Sequence, residues 1–159
     1  EPFPVAVNVS ARQLNDTRLV EPVARTLEET GYPARLLELE ISESTLMQQN
    51  DLTLSVLMKL RELGVSLSID DFGTGFSSMA RLKRFPVDTL KIDKSFLTGI
   101  PASRDHKTIV TAIIGLAHAY GLRVVAEGVE TAAQKAFLTE AGCDLYQGYL
   151  PGRPAPGEV

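Results

Sequence analysis

Two adjacent aspartates, Asp70 and Asp71, end an aliphatic run and open onto the segment Phe72–Ser78, which is rich in glycine and hydroxyl residues. Neighbouring carboxylates at the end of a buried strand lose hydration and repel each other unless cations or hydrogen bonds compensate. The pair is therefore either a solvated acidic turn or a set of metal ligands. Taken alone, the pattern is more often a solvated turn, because short motifs match by chance.

Polar residues also follow the ends of other predicted strands, and this changes the balance. The carboxyl ends of parallel strands gather at one edge of α/β folds, so these side chains are expected to share a rim. Oxygen ligands from Asp, Glu and Asn are those that Mg²⁺ and Mn²⁺ prefer. The convergence favours a functional site. The set comprises Asn8, Glu40, Glu43, Asp70, Asp71, Lys91, Asp93, Glu127, Glu130 and Gln147.

The elements that must position these residues are visible as six aliphatic segments with amphipathic helical patterns between most of them. Three times the chain repeats a helix, a glycine, a strand and a polar residue. Strands separated by helices cannot pair as hairpins, so the pattern predicts an α/β fold with a parallel sheet and crossover helices. The strands are predicted at residues 5–9, 37–41, 65–70, 89–93, 122–127 and 144–149.

Alternation within two strands sharpens the site. Glu40 lies between aliphatic neighbours, so its side chain points to the opposite face, which in a barrel is the inner face. Lys91 shows the same pattern. A lysine directed into an acidic cluster is either a structural counter-ion or a group that positions and deprotonates a water.

Composition sets the protein class. The 159 residues are 44% hydrophobic and 23% charged, which is typical of one soluble globular domain, and we assign residues 1–159 to a single domain. A net charge of -4 argues against DNA binding, which needs a basic face. No leader or long apolar stretch is evident and Cys143 stands alone, so a cytoplasmic location is expected, although a longer parent polypeptide could be membrane-anchored.

Six motifs, in order and spacing, resemble the EAL domain family of cyclic di-GMP phosphodiesterases. The resemblance covers essentially the whole chain. The motifs are Asn8-Val9-Ser10, Glu40-Ile41-Ser42-Glu43, Asp70-Asp71-Phe72-Gly73-Thr74-Gly75, Leu90-Lys91-Ile92-Asp93, Ala126-Glu127-Gly128-Val129-Glu130 and Gln147-Gly148-Tyr149.

The resemblance implies a modified TIM-type (β/α)8 barrel that hydrolyses cyclic di-GMP to linear pGpG with two Mg²⁺ or Mn²⁺ ions. By position, Asn8, Glu40 and Asp70 would bind the first ion. Asp70 would bridge to the second ion, which Asp71 also binds. Glu127 would complete the metal and water network and act in catalysis.

The resemblance also implies roles outside the metal ligands. Lys91 would orient or deprotonate the attacking water, and Glu43 would anchor the segment Phe72–Ser78. Gln147 and Asp93 would contact the substrate. The implied partners are a second copy of the chain, docked through the Phe72–Ser78 region, and sensor or diguanylate cyclase-like domains in the parent chain.

The sequence departs from the family pattern at its start. The family is named for a Glu-X-Leu signature that supplies a ligand of the first metal, and no such signature precedes Asn8. The chain is also shorter than the roughly 250 residues of a full barrel. We therefore expect a barrel without its first strand or strands, and weak or no activity of the isolated chain.

Two other functions stay open at this level. One is a catalytically impaired receptor that binds cyclic di-GMP without turnover, although such members usually lose metal ligands that this chain keeps. The other, from outside the family, is a metal-dependent lyase or isomerase on a similar barrel with Lys91 as base. The six-motif match disfavours it.

Overall fold

The computed structural model describes residues 2–48, 51–74 and 82–153. The chain divides into two compact units, and the boundary lies between Thr89 and Leu90. The assignment of all 159 residues to a single domain stays a prediction. Strands and helices alternate in both units, as the predicted α/β class requires.

The first unit contains three strands in the order β1-β2-β3, with parallel pairing between neighbours. The strands are β1 (Val5–Asn8), β2 (Leu37–Ser42) and β3 (Ser66–Phe72). The α-helices described here are α1 (Ala11–Leu14), α2 (Val20–Thr30), α3 (Glu43–Met47) and α4 (Asp51–Glu62). Short 3₁₀ helices span Thr17–Leu19 and Ala34–Leu36.

The second unit follows the same alternation, and its strands run in the order β4-β5-β6. They are β4 (Thr89–Ile92), β5 (Arg123–Ala126) and β6 (Leu145–Tyr146). The helices are α5 (Arg104–Ala119), α6 (Ala132–Glu140) and a 3₁₀ turn at Lys94–Phe96. β5 and β6 pair in parallel.

All six predicted strands are present, and the main difference is the short β6. The sequence predicted it through residue 149, but regular pairing ends at Tyr146. Beyond that point the backbone of Gly148 approaches Val129 so closely that a Cβ at Gly148 would lie 2.3 Å from the nitrogen of Val129. The two backbone segments are too close at this point for any side chain, so only glycine fits at position 148.

Side-chain hydrogen bonds define the helix starts in the second unit. The hydroxyl of Ser103 accepts a hydrogen bond from the backbone N–H of His106 at the start of α5. Thr131 and Gln134 form a reciprocal capping box at the start of α6. Among the described residues, no helix is long and apolar enough to cross a membrane.

An aspartate clasp secures the amino end of β3. Asp88 directly precedes β4, and its carboxylate accepts a hydrogen bond of 3.0 Å from the backbone N–H of Leu67, the second residue of β3. Its other oxygen lies 2.9 Å from a guanidinium nitrogen of Arg61, near the end of α4. One carboxylate thus joins a helix end to a strand start.

The second unit repeats this clasp with a histidine in place of the arginine. Asp144 directly precedes β6 and accepts a 2.7 Å hydrogen bond from the N–H of Val124, the second residue of β5. His118, near the end of α5, lies 2.8 Å from the same carboxylate oxygen. Burial alone raises the pKa of Asp144, but the hydrogen bonds from His118 and Val124 outweigh it and hold the pKa below its ordinary value.

Removing either clasp is expected to destabilise the protein. Asp88→Ala should lower the free energy of unfolding by about 2 kcal/mol and Asp144→Ala by about 1 kcal/mol, because each leaves a strand N–H without its acceptor and Asp144 is more exposed to solvent. Urea unfolding would measure both. Asp51→Ala, which removes a pair with Arg84 at 3.1 Å where the Asp51 side chain is 93% exposed, should cost under about 0.5 kcal/mol. Equal losses in all three variants would contradict the clasp.

The lowered pKa of Asp144 also predicts an acid dependence. Its folded pKa lies below the unfolded value, so its charge stabilises the fold above about pH 4 and loses that effect as the pH falls through the folded pKa. The stability advantage of the wild type over Asp144→Asn should shrink as the pH falls below about 4. Unfolding free energies measured across this range would test it, and a constant difference would contradict it.

Candidate cation-binding site

The register of the first unit sets a row of polar side chains across three strands. Asn8 at the end of β1 pairs with Glu40 on β2, and Glu40 pairs with Ser68 on β3. Paired residues of parallel neighbours project to the same face of the sheet. Ser42 and Asp70 pair one step further along the same face. The predicted ligands Asn8, Glu40 and Asp70 therefore share one face at the carboxyl end of these strands.

The opposite face of the same strands is apolar. Leu39, Ile41, Leu67 and Ile69 are buried with at most 4% of their surface exposed. Glu40 is nevertheless buried, with 8% exposed. An ionisable side chain at that depth requires partners, which is typical of a site and not of a solvated turn.

The backbone of Asp71 lets both aspartates face one point. In a regular strand, adjacent side chains project to opposite faces. Asp71 instead has a φ of 55°, in the left-handed region that few non-glycine residues adopt. Its N–H donates to Oδ1 of Asp70 at 2.9 Å, and a carboxylate oxygen of each residue lies within 4.8 Å of one from the other. Such strain is characteristic of functional sites.

Glu43 holds the residues that follow this corner. It is the first residue of α3, with 2% of its surface exposed, and its Oε2 accepts a 2.8 Å hydrogen bond from the N–H of Gly73. The hydroxyl of Thr74 donates to the carbonyl of Asp71 at 2.8 Å. Gly75–Ser78 lie outside the described residues, so the anchoring of the complete Phe72–Ser78 segment and its part in a dimer stay predictions.

The second unit contains an ion pair between a buried lysine and a half-buried glutamate. Lys91 lies in β4 with 4% of its surface exposed, and its Nζ is 2.6 Å from Oε1 of Glu127. Glu127 directly follows β5, and its N–H donates to the carbonyl of Ile92 at 3.1 Å. The alternation in the sequence predicted that Lys91 points away from its aliphatic neighbours. In the structure this side chain is buried and forms an ion pair with Glu127.

Asp93 and Gln147, which were predicted to contact the substrate, form hydrogen bonds with main-chain groups of the protein. Oδ1 of Asp93 caps the following 3₁₀ turn by accepting from the N–H of Ser95 at 2.9 Å. The N–H of Gln147 donates to the carbonyl of Ala126 at 2.8 Å, and its own carbonyl accepts from Val129 at 3.0 Å. The side chain of Asp93 and the backbone of Gln147 therefore have defined hydrogen-bond partners. Their contact with substrate stays a prediction.

The donor set of the first unit fits a hard divalent cation. An amide oxygen and carboxylates are the ligands that Mg²⁺ and Mn²⁺ select, and the face also carries a buried hydroxyl, that of Ser68, with no hydrogen-bond partner in the described structure. Sequence reasoning missed Ser68. Its signal was the spacing of two between Ser66, Ser68 and Asp70 inside a segment read as aliphatic.

The alternating elements give an α/β fold, and its oxygen-rich strand ends include acidic groups that could hold a metal ion. The EAL domain family model matches residues 1–154. The chain therefore belongs to the EAL domain family.

Relatives support this assignment along nearly the whole chain. The cyclic di-GMP phosphodiesterase NbdA of Pseudomonas aeruginosa is 55% identical over 152 residues, which is 96% of this chain and 19% of that protein. The bifunctional diguanylate cyclase/cyclic di-GMP phosphodiesterase MucR of the same species is 46% identical over 154 residues, 97% of this chain and 22% of that protein. The chain thus spans about a fifth of the length of these relatives.

Solved structures confirm the fold class. A PaMucR phosphodiesterase in complex with c-di-GMP superposes with a TM-score of 0.91 at 45% identity over 97% of this chain and 62% of its own. The manganese/cy-diGMP complex of Klebsiella pneumoniae BlrP1 gives 0.88 at 32% identity over 96% of this chain and 39% of its own. The predicted α/β fold class, that of the TIM-type barrel, is thereby confirmed.

The left-handed backbone of Asp71 predicts an unusual order of variant stabilities. Asp71→Gly should be more stable than Asp71→Ala by about 1 kcal/mol, because a Cβ is disfavoured at positive φ. At Asp70, which lies in β3 without a positive φ, the order should reverse by roughly 0.5 to 1 kcal/mol. Chemical unfolding of the four variants would measure this, and the same order at both positions would refute the strained corner.

Proposed function

We propose that this chain is the catalytic part of a cyclic di-GMP phosphodiesterase that uses two divalent cations, Mg²⁺ or Mn²⁺, and releases linear pGpG. The observation that carries the proposal is the shared face of Asn8, Glu40 and Asp70, extended to Asp71 by the left-handed corner. The names of NbdA and MucR and the ligands of the two solved complexes support the choice of substrate.

The proposed ligands divide between the two cations by chemistry. Asn8 and Glu40 would hold the first ion, Asp70 would bridge both, and Asp71 would hold the second. Glu127 would complete the set. When bound, two such cations neutralise charge on the phosphodiester and favour ionisation of a water at the site. Without cations, the acidic side chains would repel an anionic dinucleotide. The bound cations would therefore allow a chain of net charge -4 to accept such a substrate.

Lys91 is proposed to hold the attacking water. Its ion pair with Glu127 at 2.6 Å stabilises the ammonium form, which donates hydrogen bonds. This contact favours orientation of the water, and stabilisation of negative charge as it develops, over removal of its proton by the lysine. Burial strengthens the effect because few waters screen the charge.

The proposal extends to assembly. The chain spans only about a fifth of the length of its relatives, and the name of MucR includes a diguanylate cyclase activity. A diguanylate cyclase-like domain or a sensor domain is therefore proposed for the parent protein. Glu43, through the N–H of Gly73, would transmit the state of the Phe72–Ser78 region to Asp71. A homodimer formed through that region, in the cytoplasm, completes the proposal.

Loss of a proposed ligand should abolish turnover and leave the fold intact. In the full natural polypeptide, Glu40→Gln should reduce pGpG formation by about 100-fold or more. Loss of only the hydrogen-bond partner of a metal ligand typically reduces metal affinity or activity by about 10- to 100-fold, and loss of the ligand itself should cost more. Chromatography of the products with Mg²⁺, and with the chelator EDTA added, would measure it.

Glu38→Gln is the matched control for this variant. Glu38 lies on the same face of β2, two residues before Glu40 and further from the strand end. It should retain wild-type turnover. Tight binding of cyclic di-GMP by the wild type without any pGpG would instead identify a receptor, and turnover that persists in Glu40→Gln would refute the assigned site.

A further inference from the structure

Ser68 carries a buried hydroxyl that the fold does not use. Its side chain is fully buried in β3, and Oγ has no hydrogen-bond partner among the described residues. Buried polar atoms are nearly always hydrogen-bonded, and an exception calls for an explanation such as a bound ion or a catalytic role. An alanine would fill this position without the desolvation cost, so packing does not account for the serine.

The position of Ser68 points to the proposed cation site. It is paired with Glu40, which is paired in turn with Asn8, so Ser68 is the third member of the polar row. It also precedes Asp70 by two residues on the same face of β3. Ser68 is therefore paired with one proposed ligand, Glu40, and precedes another, Asp70, by two residues on the same strand face.

The chemistry of the row suggests what the hydroxyl does. A carboxylate that ligates a cation through one oxygen still has an oxygen that accepts hydrogen bonds, and outer partners of this kind orient ligands and tune affinity. A serine hydroxyl donates one such bond and rotates freely to reach it. Adjacent parallel strands lie about 4.8 Å apart, within reach of a glutamate and a serine side chain.

We propose that Ser68 is a positioning residue of the cation site, whose hydroxyl donates a hydrogen bond to the carboxylate of Glu40 when that carboxylate holds the cation. This inference rests on the proposed function. It assigns the serine no contact with substrate. The fold without cation does not depend on the hydroxyl, whereas cation affinity does.

The experiment compares two serines on one face of one strand. Ser66 lies two residues before Ser68, is only half-buried and is paired with Glu38. In the full natural polypeptide, Mn²⁺ affinity is measured by electron paramagnetic resonance titration for the wild type, Ser68→Ala and Ser66→Ala. Thermal unfolding in EDTA is measured for the same three proteins.

A positioning role predicts opposite results in the two measurements. Ser68→Ala should bind Mn²⁺ about 10-fold more weakly, while its unfolding temperature in EDTA should equal or exceed that of the wild type. Ser66→Ala should match the wild type in Mn²⁺ affinity. A drop in the unfolding temperature of Ser68→Ala with unchanged affinity would indicate a purely structural serine and overturn the inference.

The outcomes also separate the inference from the function on which it rests. If the wild type binds Mn²⁺ and Ser68→Ala binds it equally well, only the role of Ser68 is refuted. If the wild type binds no Mn²⁺, the proposed cation site is refuted and the role of Ser68 with it. An equal loss of affinity in Ser66→Ala and Ser68→Ala would attribute the effect to the strand as a whole and also overturn the inference.

Discussion

Parallel pairing with a period of two is the constraint on which the first unit depends. Paired residues of β1, β2 and β3 project to the same face, so polar residues at paired positions form a row across the strands. Along each strand the side chains alternate between the two faces, so the apolar residues between the polar ones form the opposite face. Asn8, Glu40 and Ser68 form one such row, and Leu39 and Leu67 lie on the other face. A slip of one residue would bury the ligands among the leucines, so register and site are specified together.

The site also needs a departure from that regularity. Asp70 follows the alternation, but a regular strand would direct Asp71 to the opposite face. The φ of 55° at Asp71 ends the alternation at the residue where a second carboxylate is needed. Glu43, by accepting from Gly73, holds the chain just beyond this turn. The strain is tolerated because buried elements on both sides determine the path of the backbone.

The stabilising clasps and the proposed chemistry lie at opposite ends of the strands. The aspartate clasps lie at the amino ends of β3 and β5, where Asp88 and Asp144 each accept a strand N–H and contact the side chain of Arg61 or His118 near a helix end. Carboxylates at the carboxyl ends instead carry costs of burial, as Glu40 and the Lys91–Glu127 pair illustrate. This division follows the α/β barrel pattern, in which function is concentrated at the carboxyl ends of strands.

The sequence by itself determined the α/β class, the six strands and the polar residues that close them, because periodicity and motif order are local properties of the chain. It also predicted that Glu40 and Lys91 point away from their aliphatic neighbours. It did not reveal the buried hydroxyl of Ser68 that has no hydrogen-bond partner among the described residues, the clasp aspartates or the early end of β6. Those depend on which strands are adjacent and in what register. Only the tertiary structure decides these, since they arise from contacts between residues far apart in the chain.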